Sequence, residues 1–244
     1  GVVKIGLSND EVRSLSEKKD VIKLSRNDLA YAISCRKTGA TTVAATMILA
    51  ANANIKVFAT GGVGGVHLDA EKTFDVSADL QELAQTPVTV ISAGPKAILD
   101  LPKTLQFLET LGVPVITFGQ DELPAFWSRS SGLRSPLRMN SAEEIARSQL
   151  VREALSIPGG QLVANPIPAY AEIPFKEILP IIEKAHLEAK KANISNKNLT
   201  PFLLEKIFHL TDGTSLEANI ELVKNNAFLA CKVASSLITE KSKL

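Results

Sequence analysis

Cysteine is almost missing from this sequence. Cys35 and Cys231 are the only two, they lie far apart, and neither sits in a metal-ligand spacing. The pair reads as reduced, buried thiols. An excess of charge of either sign is missing too: 27 Lys and Arg stand against 26 Asp and Glu, a net charge of +1. With no basic stripe either, there is no general electrostatic reason to bind nucleic acid or a membrane surface. No apolar run reaches membrane-spanning length, because the nearest, residues 41–53, is broken by threonine and asparagine. The opening Gly1-Val-Val-Lys-Ile-Gly6 has neither an initiator methionine nor a signal peptide. It reads as the inside of a strand, so further residues are expected upstream. No internal repeat or low-complexity segment stands out.

The rest is ordinary for a packed soluble protein: 244 residues, 45% hydrophobic and 22% charged. That is enough for one large domain over residues 1–244. The last three residues, Ser242-Lys243-Leu244, match a peroxisomal address. If that tail is not the native terminus, the expected location is the cytoplasm.

Apolar runs and caps alternate along the chain. Strands are expected at residues 2–5, 21–24, 55–58, 88–91, 112–118 and 159–168. Ser8 and Ser141 each stand three residues before a glutamate, at Glu11 and Glu144, the spacing of a capping box. Those helices are expected to run to Leu15 and Leu155. Further helices are expected at residues 29–35, 43–53, 80–84, 96–110 and 175–193, the last carrying His186 as a surface residue. Two more begin at Thr200, with Pro201 in first position, and at Ser215. Strand and helix in alternation imply an α/β fold with a mostly parallel, possibly mixed, sheet. Residues 125–137 read as an irregular loop or lid. Its Arg129 and Arg134, with nearby Arg138, would either meet an anion or form a solvated face.

The centre of the sequence is Phe58-Ala-Thr-Gly-Gly-Val-Gly-Gly-Val-His67, followed by Phe74-Asp-Val-Ser-Ala-Asp79 and by Val88-Thr-Val-Ile-Ser-Ala-Gly-Pro-Lys96. Open α/β sheets bind ligands where strand ends open into such loops. The Gly61-Gly62 and Gly64-Gly65 pairs form neither a Walker A loop nor a dinucleotide fingerprint. They read either as a phosphate-binding nest or as a tight, closely packed turn. Ser77 is a natural N-cap and Asp79 suits a helix N-terminus. Asp75 lies just outside that helix and is free to hold a hard cation completed by water. Lys96 follows a buried strand and is expected in the first turn of a helix. Burial and the positive helix end would both lower its pKa. A neutral lysine in a crevice is what Schiff-base chemistry requires.

These motifs, with Asn165-Pro-Ile-Pro168, Thr200-Pro-Phe-Leu-Leu204 and Ser215-Leu-Glu-Ala-Asn219 to Asn226, resemble the pseudouridine-5′-phosphate glycosidase family, also called the indigoidine synthase A family. The resemblance runs from Val3 to about Ala230. It implies a three-layer α/β/α homotrimer that uses Mn²⁺. It also implies cleavage of the C–C bond of pseudouridine 5′-phosphate, giving uracil and ribose 5-phosphate. By position, Lys96 matches the lysine that holds the opened sugar as a Schiff base, and Asp75 matches the metal aspartate. Lys23, Val43, Thr60, Gly61, Gly62, His67, Ser77, Ala78, Asp79 and Asn219 match substrate-contacting positions. Three departures accompany the match. The family's proton-donating glutamate belongs to a strand upstream of Gly1, Leu68-Asp69 stands where Arg-Gly is usual, and Pro95 replaces a more usual alanine. The alternative they suggest is a form that binds a sugar phosphate without turnover.

Overall fold

The computed structural model describes residues 1–242; Lys243 and Leu244, the end of the expected peroxisomal address, lie outside the described residues. Helix α1 (Asn9–Glu17) starts where its capping box places it, with the Glu11 N–H donating to Ser8 Oγ at 3.3 Å. Then come β1 (Ile22–Leu24), α2 (Leu29–Ser34), β2 (Gly39–Thr41), α3 (Val43–Asn52), β3 (Val57–Ala59) and α4 (Ala70–Thr73). The middle of the chain forms α5 (Ala78–Gln85), β4 (Thr89–Ser92), α6 (Leu101–Thr110), β5 (Val115–Phe118) and β6 (Leu137–Met139). It ends with α7 (Ala142–Ala154), β7 (Gln161–Ala164), α8 (Phe175–Lys191), α9 (Leu199–Leu210) and α10 (Thr214–Lys241). The second capping box holds as well: the Glu144 N–H donates to Ser141 Oγ at 3.1 Å at the start of α7.

Five strands form one sheet in the order β3-β4-β7-β5-β6, and every pairing in it is parallel. The side chains of its central strands explain the layers. In β4, Val90 packs with Leu80, Leu83 and Leu108, whereas Ile91 packs with Ile145 and Val233. In β7, Leu162 and Ala164 join the first group and Val163 the second. Neighbouring side chains on a strand point to opposite faces, so both faces are buried, as a parallel sheet requires. Helices α3, α5 and α6 cover one face; α7 and the second half of α10 cover the other. This is the three-layer α/β/α arrangement, with no antiparallel strand in the sheet. Among the described residues, the strands β1 and β2 pair only with each other, in parallel.

Several expectations fail for physical reasons. Residues 2–5 form no strand: they pair with no other strand, and Val2 is 81% exposed. Cys35 and Cys231 are exposed, not buried. Cys35 lies at the end of α2, where only Ala32 is buried, and Cys231 falls off the buried stripe Leu222, Asn226, Leu229, Ala230 and Val233 of α10. Residues 96–100 form a turn, and α6 starts only at Leu101, where the Lys103 N–H donates to Asp100 Oδ1 at 3.0 Å. Pro201 is third in α9, not first. The strands β2 and β6 and the single-turn α4, three or four residues each, carry too little pattern to be foreseen.

The segment 125–137 is not a free lid. Ala125, Phe126, Trp127 and Ser128 are buried, and the Trp127 Nε1–H donates to Ser215 O at 3.0 Å. Arg129 donates to Ile167 O at 2.6 Å, and Arg138 pairs with Asp121 at 3.0 Å. Those two guanidiniums already have protein acceptors.

Candidate active site

The site forms at the carboxyl ends of β3 and β4, and backbone hydrogen bonds explain its shape. Beyond the strands, the two loops continue to pair: Ala93 N–H donates to Gly61 O at 2.8 Å, Val63 N–H to Gly94 O at 3.2 Å, and Lys96 N–H to Val63 O at 3.1 Å. The glycine loop and the lysine turn are therefore one unit. Asn226 of α10 braces it from behind. Its Nδ2 donates to Thr60 O at 2.8 Å, while its Oδ1 accepts from Asn165 Nδ2 at 3.0 Å. That asparagine is fully buried, and the sequence reading gave it no role.

Gly64 is required by close approach. A Cβ there would lie 2.2 Å from Ser77 Oγ and 2.8 Å from Asp79 Oδ2. The packed-turn reading thus fits the middle of the loop, where Gly64 N–H donates to Asp79 Oδ2 at 2.9 Å and Val66 N–H to Thr104 Oγ1 at 3.0 Å. None of Gly61, Gly62, Gly64 and Gly65 has a positive φ, so the alternating conformation of a nest is not formed. The N–H groups of Gly61 and Gly62 meet no acceptor among the described residues, which leaves them available to a ligand.

Asp79 is 4% exposed and ties two elements together: its Oδ1 accepts the Ala44 N–H at 2.8 Å, next to Val43 at the start of α3. Ser77 caps α5, with Asp79 N–H donating to its Oγ at 3.3 Å and Ala78 as the first helical residue. Asp79 is thus a clamp between backbone segments as well as a wall of the site.

Lys96 keeps part of its surface open, yet its surroundings push the ammonium below the usual lysine range. Burial is the main cause; the charge of Lys23 adds to it, and Asp79 opposes it. The expected help from a helix N-terminus is absent, since Lys96 lies on a turn. His67 is 8% exposed, and burial lowers its pKa. Asp75 opposes that shift, while His186, Lys23 and Lys96 reinforce it. Through His67 and Lys96, the charges of Lys23, Asp75, Asp79 and His186 are linked electrostatically. His186 is half-buried, not on the surface, and its Nε2 lies 2.9 Å from Ile98 O.

Two buried polar atoms at the site lack hydrogen-bond partners among the described residues: His67 Nδ1 and Asn219 Oδ1. The Asn219 atom would lie 3.2 Å from a Cβ on Gly61, so it faces the glycine loop. Asp75 receives the His67 N–H on its backbone oxygen at 3.0 Å, and its carboxylate has no hydrogen-bond or ion-pair partner among the described residues. No three His, Cys, Asp or Glu converge on a metal position among the described residues. A lone free carboxylate suits a hard divalent ion that keeps most of its waters. A cavity of about 740 Å³ lies elsewhere, lined by Val2, Leu7, Leu15 and Ile33, and includes none of the expected site residues.

Comparisons with known proteins fit this geometry. A family model described as "Indigoidine synthase A like protein" matches residues 1–236. A pseudouridine-5′-phosphate glycosidase from Paracoccus denitrificans (strain Pd 1222) is 59% identical over 241 residues, covering 98% of this chain and 79% of that protein. One from Jannaschia sp. (strain CCS1) is 61% identical over 239 residues, with 98% and 79% covered. Among solved structures, the prealnumycin C-glycosynthase AlnA in complex with ribulose 5-phosphate superposes with a TM-score of 0.91 at 30% identity, covering 98% of this chain and 79% of that one. An indigoidine synthase A-like protein from Thermotoga maritima MSB8 gives a TM-score of 0.87 at 35% identity, with 95% and 76% covered.

Proposed function

We propose that this chain, which belongs to the indigoidine synthase A-like family, cleaves the C–C glycosidic bond of pseudouridine 5′-phosphate to uracil and ribose 5-phosphate. The observation that carries the reading is the amine of Lys96, lowered in pKa by burial at the mouth of the glycine loop. Relatives 59% and 61% identical are named for this activity.

A C-glycoside has no leaving heteroatom, so the nitrogen of a covalent lysine must push the uracil off as a carbon leaving group. The neutral Lys96 amine bonds to C1′ as the C1′–O4′ bond breaks and O4′ takes a proton. The nitrogen lone pair then forms C1′=N as the C1′–C5 bond breaks, its electrons leaving with uracil, whose C5 takes a proton. Water then releases ribose 5-phosphate and returns the amine. Asp79 holds Gly64 and Ala44 in place, while the free N–H groups of Gly61 and Gly62 and the Asn219 amide take up sugar and phosphate oxygens. Lys23 stands at the phosphate side with Ser77, Ala78 and Asp79; Val43, Thr60 and His67 complete the wall. Asp75 would hold Mn²⁺, which supplies positive charge beside the substrate oxygens when bound. The acid that opens the ribose is assigned to no residue of this chain. The same reading carries the homotrimer and peroxisomal import as proposals.

Uracil release tests the reading. The expected result is uracil from pseudouridine 5′-phosphate in the presence of Mn²⁺, and none from the Lys96→Met variant. Calorimetric binding of ribose 5-phosphate without uracil release would instead favour the non-catalytic alternative.

A further inference from the structure

Lys23 lies on a strand that the main sheet does not hold. The strands β1 and β2 are three residues each and, among the described residues, pair only with one another, at Ile22 with Gly39, Lys23 with Ala40 and Leu24 with Thr41. A two-stranded ribbon of this size is marginal by itself, so its position on the body must come from other contacts. The β2 end is fixed because the chain runs directly into α3, where Asp79 accepts the Ala44 N–H. The β1 end is fixed by the turn that follows it. There Arg26 Nη1 meets Glu82 Oε2 at 2.5 Å, the Ser25 N–H donates to Asp28 Oδ2 at 2.9 Å, and Lys197 pairs with Asp28 at 2.6 Å.

Glu82 is the unusual member. It is fully buried on α5 between Leu80 and Leu83, three residues after Asp79, and its other oxygen accepts from Thr86 Oγ1. A buried carboxylate is a poor choice for stability alone, because desolvation offsets the attraction, but it selects one partner and one register. Arg26 stands three residues beyond Lys23. Helix α5 therefore grips both ends of the ribbon, through Asp79 and through Glu82, while its own first turn forms the Ser77–Asp79 edge of the site.

We propose that Arg26 and Glu82 are positioning residues that set the separation between Lys23 and the Ser77–Asp79 edge, and so the affinity for the substrate's phosphate. The inference rests on the reading of Lys23 as a phosphate-side contact. Neither residue touches the reacting atoms. Losing the pair lets the ribbon drift, and Lys23 with it, while Lys96 stays on its own turn. Substrate binding suffers far more than the chemical step, because burial, not Lys23, is the main cause of the lowered pKa of Lys96.

Steady-state kinetics with pseudouridine 5′-phosphate test this on Arg26→Ala, Arg26→Lys, Lys23→Ala and the Lys23→Ala/Arg26→Ala double variant. Expected are a KM raised about tenfold in Arg26→Ala with kcat nearly unchanged, largely restored in Arg26→Lys, and a double variant with the KM of Lys23→Ala alone, since coupled residues are non-additive. Additive KM effects, or a fall in kcat equal to that in kcat/KM, would overturn the inference. If Arg26→Ala does not fold, Glu82→Gln replaces it, with a smaller KM rise expected and an unchanged KM counting against the proposal. A Lys23→Ala variant with normal KM would sink the phosphate-side reading itself; a raised KM there, with normal Arg26 variants, would sink only the positioning role.

Discussion

The Asp79 carboxylate accepts the backbone N–H of Gly64 at 2.9 Å. Its second oxygen takes the Ala44 N–H, so one buried side chain closes the glycine loop onto α3. Replacing it by asparagine leaves one of those buried donors without an acceptor, at a cost of about 1–3 kcal/mol. Because Asp79 raises the pKa of Lys96, the same change removes an opposing influence. Asp79→Asn is expected to shift the alkaline-rising limb of the pH–rate profile to lower pH, while urea denaturation shows the lost stability. An unmoved limb would separate Asp79 from the lysine.

Gly64 admits no side chain. Its Cβ would fall 2.2 Å from Ser77 Oγ, and relief of such overpacking costs typically about 1–3 kcal/mol. Gly64→Ala should lose that stability in chemical denaturation and, by displacing Ser77, raise KM. Gly112→Ala is a contrast, since no heavy atom lies within 4 Å of its would-be Cβ; only its positive φ opposes the change. It should leave KM untouched.

Lys96 links function to stability with a definite sign. Its folded pKa lies below the ordinary value of 10.5, so between the two values the unfolded chain binds more protons. Stability then rises with pH across that window. Below it, the buried amine is a constant burden. Lys96→Met is expected to melt higher than the parent near neutral pH, with the advantage shrinking as pH approaches 10.5. Thermal denaturation across pH checks this, and an advantage that grows with pH would refute it.

The parts of this protein legible in the sequence are those where local chemistry decides alone. Ser8 and Ser141 gave their helix starts because a capping box is complete within four residues. The runs around Val90 and Val163 gave strands because both of their faces need apolar partners. Lys96 follows a buried strand as expected but lies on a turn, not in a helix: Asp100 caps α6 more effectively than the Gly94-Pro95 pair begins it. His186 looked exposed because its contact, Ile98 O, is 88 positions away. The same blindness to distance hid Asn226 and Glu82, whose partners Thr60 and Arg26 are far along the chain. The short strands β2 and β6 cannot be seen before their neighbours are known, whereas β1 falls inside the expected run 21–24.

Asp75 has a free carboxylate, and this makes its metal role testable without turnover. Mn²⁺ at a hundred times its Kd would add about 2.7 kcal/mol, a Tm rise of roughly 5–10 °C for a chain of this size. Differential scanning fluorimetry should show that rise in the parent and lose it in Asp75→Asn. An equal rise in both would place the ion elsewhere.

The most direct measurement is borohydride trapping with ribose 5-phosphate, followed by peptide mass mapping. Reduction of the imine leaves the sugar attached to the lysine that formed it. The account expects a single labelled peptide carrying Lys96, with no label in Lys96→Met. Label on another lysine, or none in a protein that releases uracil, would contradict it.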